Sequence, residues 1–349
     1  MDGVFIGSEA IAAGRLTRHE LQRWYRRLYR GIYLSKDATP TLRDRTRAAW
    51  LSGGRKGVIA GVAASALHGA QWVDRNVVVE LIATDARSQR GLITRDETLA
   101  EGETTKVAGL PVTTSARTAY DLARHLPRDK ALARLDALAR ATPFSIEDVL
   151  LIAKHHRGAR GLRRLRAVLP LVDAGAASPR ETWLRLLLID AGLPTPATQI
   201  PVCDRSYAPF AYLDMGWDRY RVAAEYDGDQ HRTDRPQYVK DQRRQRRLES
   251  LGWINIRVIS EDKPADVVGR VTDALRSRGW RPRVPEPLSR LQHLGDGHSG
   301  GDPRARGSDL LRDAGCHDCH QHTVALVVGH ESAAVVFDQM HGVAGPRMA

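Results

Sequence analysis

Two neighbouring apolar runs carry carboxylates at positions where a folded chain tolerates them least. Ala211-Tyr-Leu-Asp-Met-Gly-Trp217 is apolar apart from Asp214, and Val222-Ala-Ala-Glu-Tyr-Asp-Gly-Asp-Gln-His231 follows at once. Both read as strands. Side chains alternate along a strand, so Glu225 and Asp227 are expected on one side. Gly228 permits a turn, with Gln230 and His231 at its mouth. Carboxylates among buried positions are costly unless a cation compensates them. A hard divalent ion is the usual compensation for oxygen ligands gathered in this way. A further acid lies upstream, where Ser178-Pro-Arg-Glu181 opens a helix expected to run to Ala191. Leu184 and Leu188 share the Glu181 face of that helix. Ser178, Pro179 and Glu181 also have the spacing of a capping box, so a cap and a site role both stand open for Glu181.

Charge narrows the partners. Of 349 residues, 53 are Lys or Arg and 41 are Asp or Glu, a formal net charge of +12. That excess favours polyanions, nucleic acid first. No run approaches the length of a membrane span, and the opening residues do not read as a signal peptide. The three cysteines, Cys203, Cys316 and Cys319, exclude a disulfide framework and fit a reducing cytoplasm.

The expected fold class is mixed α/β, in four stretches. Residues 1–55 read as short helices and a hairpin. Thr17-Arg-His-Glu20 starts a helix at Arg18, and Leu21, Trp24, Tyr25 and Leu28 continue its apolar face. Tyr29–Leu34, centred on Gly31, is a candidate wing. Residues 56–172 are a mixed region, with a helix at Val58–His68, strands at Val77–Ile82 and Gly109–Thr113, and helices at Ala116–Arg124, Arg128–Arg140 and Ile146–Lys154. The basic amphipathic helix Arg160–Leu171 closes it. Asp173–Ala177 looks like a boundary. Residues 178–280 read helix, strand, strand, helix, strand, helix, a small α/β core. Residues 285–349 hold seven of the thirteen histidines and are expected to pack loosely. Within that tail Cys316-His-Asp-Cys319-His320 has haem-attachment spacing, and with His322 it suits adventitious zinc.

The order Glu181, Asp214, Glu225 resembles the PD-(D/E)xK nuclease superfamily, in particular proteins with very-short-patch-repair-like endonuclease domains. Asp241, Arg244 and Leu251-Gly-Trp253 extend that resemblance over about a hundred residues. It implies a restriction-endonuclease-like α/β core in which Glu181 is the helix acid and Asp214 and Glu225 hold Mg²⁺ or Mn²⁺. Asp227 stands where the family has lysine. A second metal, His231 or Lys240 would replace that positive charge, or nothing does. Metal-assisted phosphodiester hydrolysis is the implied chemistry, with His231 positioning water or protonating the leaving oxygen. Lys240, Arg243, Arg244, Arg246 and Arg247 would grip DNA phosphates.

A second resemblance covers the N-terminal half. Ala13–Glu20, Arg26–Leu34, Ala63–Gly69 and Leu110–Arg117 resemble AbiEi-type antitoxins and their winged-helix domain. It implies that Arg18, Arg23, Arg26, Arg27 and Arg30 meet DNA, and that a toxin-like or self-association partner is reached through this half. The primary expectation is therefore a DNA endonuclease. The alternative is an antitoxin-type regulator that keeps a nuclease fold as a scaffold.

Overall fold

The structure is a computed structural model that describes residues 3–84, 87–204, 207–228 and 235–282. It is mixed α/β, and the described part of the chain falls within one compact unit, Met1–Val284.

The N-terminal region contains β1 (Phe5–Ile6), α1 (Gly7–Ala12), α2 (Arg18–Trp24), β2 (Tyr25–Tyr29), β3 (Ile32–Ser35) and α3 (Leu42–Ser52). The three strands form one sheet in the order β1-β3-β2. Helix α2 starts where the capping box requires. Thr17 Oγ1 accepts from the Glu20 amide, and the Glu20 carboxylate accepts from the Thr17 amide. It ends at Trp24, four residues before the apolar periodicity does. Gly31, at φ +77°, closes a turn that pairs Tyr25 with Ser35 and Arg27 with Tyr33. That strand pairing overrides the helical pattern. Arg26 and Arg27 therefore stand on a hairpin, not on the helix. A helix-turn-helix followed by a two-stranded wing is the result.

The middle region is built on a five-stranded sheet, β6-β5-β4-β8-β7. Its strands are β4 (Val58–Ala60), β5 (Val79–Ile82), β6 (Leu92–Arg95), β7 (Thr104–Val107) and β8 (Leu110–Thr113). The expected helix at Val58 begins only at α4 (Gly61–Leu67), because Val58–Ala60 joins the sheet between β5 and β8. Gly61 has φ +60°, and the Glu80 carboxylate occupies the space its Cβ would need, so a side chain is excluded there. Helices α5 (Ser115–His125), α6 (Arg128–Ala141), α7 (Ile146–His155) and α8 (Leu162–Val168) pack through Leu122, Leu132, Leu135, Val149, Leu165 and Val168.

The last region runs α9 (Pro179–Asp190), β9 (Ala197–Cys203), β10 (Pro209–Trp217), β11 (Val222–Tyr226), α10 (Arg235–Ser250), β12 (Ile254–Val258) and α11 (Pro264–Ser277). The sheet order is β12-β11-β10-β9, with β11 and β12 parallel and the other pairs antiparallel. One strand more is present than the sequence pattern gives, because β9 alternates too weakly to read as one. Helices α9 and α11 bury Leu184, Leu188, Val267 and Val271 with Met215, Val222 and Ala224. Helix α10 contributes Leu248 to a second cluster with Leu213 and Ala223. Gly216 lets β10 and β11 approach, since a Cβ there would collide with the Val222 carbonyl oxygen.

The segment between α8 and α9 is fastened at several points. Trp72 Nε1 donates to the Ala177 carbonyl (3.0 Å), and the Asp173 amide donates to Asp136 (2.9 Å). Thr198 donates to Asp173 (2.9 Å). Among the described residues no helix is long and apolar enough to cross a membrane.

Candidate functional site

Two groupings of charge bear on function: the arginines of the N-terminal region and the acids of the C-terminal module.

On α2, Arg18 and Arg23 are exposed, with the Arg23 guanidinium 4.8 Å from the ring centre of Trp24, itself 54% exposed. Arg27 and Arg30 are exposed on the wing, while Arg26 is half-buried with Nε lacking a partner. Helix and wing thus present cations together, Arg26 least of all. The sequence pattern missed Trp24 as a surface group because it counted the residue into an apolar helix face.

In the C-terminal module, Ser178 caps α9 by accepting from the Glu181 amide (3.2 Å), and Glu181 Oε2 accepts from the Ala177 amide (2.8 Å). The cap role of Glu181 is therefore filled. The β10–β11 ladder ends at the Met215–Ala224 pair, and beyond it Asp214 Oδ2 accepts from the Tyr226 amide (3.1 Å). Burial first, then the negative charges of Glu181 and Glu225, push the Asp214 carboxyl up to about 7. The three acids lie close enough to feel one another. Even so, among the described residues they do not bring three ligand atoms within 4.8 Å of one another.

Glu225 is engaged on both oxygens. Arg244 on α10 grips it with two nitrogens, one at 2.9 Å, and also donates to the Tyr212 carbonyl (2.8 Å). Asn255 on β12 donates to Glu225 Oε2 at 2.5 Å. The Glu225 hydrogen bond holds Arg244 above the ordinary guanidinium range. Asp227 lies past the end of β11 and faces Arg257, with 3.5 Å between charged atoms and both side chains about 40% exposed. Its charge is thus met by a cation on β12 rather than by Arg244. His231 lies outside the described residues, as do Cys316, Cys319 and the tail histidines.

A divalent ion at this site would meet a carboxylate already neutralised by a guanidinium. The residues as folded do not fit Mg²⁺ or Mn²⁺ without displacing Arg244. Of the cations expected to grip phosphates, Arg244 is turned inward. Arg247 is divided between Asp204 (3.1 Å) and the ring of Phe210 (4.0 Å). Lys240, Arg243 and Arg246 remain exposed. Arg244 and Asn255 were not expected as partners of Glu225. The polar Asn255 inside Ile-Asn-Ile-Arg-Val was the available signal.

The middle region holds a buried charge network that its sequence pattern does not announce. Arg117, 1% exposed, bonds Glu97 (2.7 Å), Asp121 (3.2 Å), Glu103 and the Thr98 carbonyl (3.2 Å). Arg124 adds Glu97 (2.8 Å), and His156 bonds Glu103 (2.9 Å). Candidate ligand atoms of Glu97, Asp121 and His125 lie within 4.8 Å of one another, but Arg117 and Arg124 already neutralise the two carboxylates. Burial pushes Glu97 up, yet its bonds to His125 and Arg124 win and hold it at about 2.

A winged helix, an α/β domain locked by buried arginines and a docked α/β module define the architecture. Residues 50–171 match the family model of the AbiEi antitoxin C-terminal domain. Two relatives, both named only as uncharacterized proteins of Mycobacterium tuberculosis (MT2308 of strain CDC 1551 and Rv2248 of strain H37Rv), are 29% identical over 250 residues. Each match spans 70% of this chain and 90% of the relative. A crystal structure of the RV2827C protein from Mycobacterium tuberculosis aligns with a TM-score of 0.35 and 14% identity, over 59% of this chain and 85% of that one.

Proposed function

We propose that this protein is a DNA-binding regulator of the antitoxin type, acting in the cytoplasm, in which the C-terminal α/β module is a docked body without hydrolytic activity. The match of residues 50–171 to the AbiEi antitoxin C-terminal domain carries this reading. Directly ahead of that segment lie Arg18, Arg23, Arg27 and Arg30, exposed and without carboxylate partners among the described residues. The helix would enter the major groove and the wing would touch flanking backbone. A toxin-like partner or a second copy belongs to the same reading. The engagement of Glu225 by Arg244 and Asn255 supports a module without a metal. The test is footprinting of the full chain on the DNA upstream of its own coding region. A discrete protected site that Arg23→Ala removes is expected, and protection without sequence preference would overturn the reading.

One observation favours a second reading, a Mg²⁺- or Mn²⁺-dependent endonuclease: Asp214 stands at about 7 beside Glu181 and Glu225. Such a crowd of negative charge is what a divalent cation would relieve. Plasmid nicking with Mn²⁺, run beside Asp214→Ala, decides between the two. Nicking lost in that variant, with DNA binding intact, selects the nuclease.

A further inference from the structure

From Lys154 to Val172 the sequence has five arginines and one lysine but no acidic residue. The structure gathers most of them at the corner where α7 turns into α8. Lys154, Arg157, Arg160, Arg163 and Arg166 are all exposed. Among the described residues none of the five has a carboxylate partner. Three surface arginines elsewhere do: Arg55 has Glu9, Arg128 has Asp190 and Arg270 has Asp262.

The corner is also rigidly built. Gly161 sits at φ +89°, and the Arg124 carbonyl oxygen lies 2.5 Å from where a Cβ would be, so the turn is pressed against the end of α5. The inner side of α8 is buried through Leu162, Leu165 and Val168. Arg164 does not join the outward group. Its Nη1 donates to the carbonyls of Arg124 (3.4 Å) and Leu126 (3.1 Å), which ties α8 to the C-terminal end of α5. Arg163 and Arg166, three apart, stand together on the outer face. Uncompensated like charges held on a fixed frame repel one another unless a polyanion meets them. Guanidinium groups suit phosphate oxygens.

We infer that the α7–α8 corner is a second phosphate-binding face, contacting the backbone of duplex DNA in addition to α2 and the wing. This rests on the DNA-binding reading above and adds to it a surface within the antitoxin-like domain. It reads phosphate alone and carries no base preference.

The experiment measures the affinity of the full chain for an unrelated-sequence duplex about three helical turns long by fluorescence anisotropy across a salt series. The wild type is compared with Arg157→Gln/Arg163→Gln/Arg166→Gln and with the matching triple Lys variant. Removing three cations that each neutralise a phosphate flattens the slope of log affinity against log salt by about 2.7. Between about 50 and 200 mM salt, the wild type then loses roughly 40-fold more affinity than the Gln variant. The Lys variant keeps the wild-type slope, and all three proteins keep one thermal midpoint. A wild type that binds and a Gln variant with an unchanged slope overturn the second face alone. A wild type that binds no duplex overturns the DNA-binding reading itself. Loss of binding to phosphatidylserine vesicles in the Gln variant, with duplex binding untouched, overturns the inference in favour of a membrane surface.

Discussion

Asp136 on α6 and Arg185 on α9 face each other at 2.8 Å, with side chains 1% and 2% exposed. Thr182 and the Asp173 amide complete the hydrogen bonding of Asp136, and Arg185 also donates to the Leu171 carbonyl (2.7 Å). The pair joins the antitoxin-like domain to the C-terminal module. Removing one partner leaves the other as an uncompensated buried charge. Asp136→Ala is expected to cost about 3–5 kcal/mol, and the Asp136→Leu/Arg185→Met double variant clearly less. Urea unfolding of the three proteins checks it. Equal losses for the single and double variants would mean that the pair is not what joins the two parts.

Stability should depend on pH through Asp214. Its carboxyl stands at about 7 in the folded chain, well above the roughly 4 of an unfolded aspartate. The folded state therefore holds this proton more tightly. Its stabilising effect is full at low pH and is lost as pH rises through about 7. Asp214→Asn should flatten the fall in thermal midpoint between mildly acidic and mildly alkaline buffer. Parallel curves for variant and wild type would contradict this.

Glu97 works in the opposite sense. Held at about 2, it stabilises the fold above its unfolded value, and that contribution disappears as pH falls toward about 2. Glu97→Gln should be less stable at neutral pH and should converge with the wild type in acid. Acid titrations followed by circular dichroism read this out.

DNA affinity should respond to helix α2 and the wing without any change in folding. Arg23→Ala/Arg27→Ala removes two exposed cations whose guanidinium groups have no ion pair among the described residues. A salt slope shallower by about 1.8 is expected if both touch phosphate, with an unchanged thermal midpoint.

Gly161→Ala tests the corner's geometry. A side chain at φ +89° would also press on the Arg124 carbonyl. A loss of about 1–3 kcal/mol is expected for the strain, read by denaturation. A neutral effect would mean that the turn gives way easily.

Much of this was legible in the chain. Thr17-Arg-His-Glu20 and Ser178-Pro-Arg-Glu181 each mark a helix start because caps are local. The approach of Asp214 to Glu225 was legible too, since both sit on short apolar runs that have to pair. What escaped was non-local. Tyr25–Tyr29 carries a helical apolar pattern, and only its partner strand beyond Gly31 turns it into a wing. Val58–Ala60 is a strand because β5 and β8 flank it. Arg244 reaches Glu225 across nineteen residues, a distance at which a sequence pattern does not assign charge partners.

Residues 96–102 form no strand or helix, yet Arg117 holds Glu97 and the Thr98 carbonyl on one guanidinium. A stretch without a ladder of its own is thus kept in place by cations planted on a neighbouring helix, Arg117 with Arg124. Loop, strand end and helix meet in that one network. Its hold depends on those carboxylates staying charged, and acid that protonates Glu97 should loosen the domain from this loop outward.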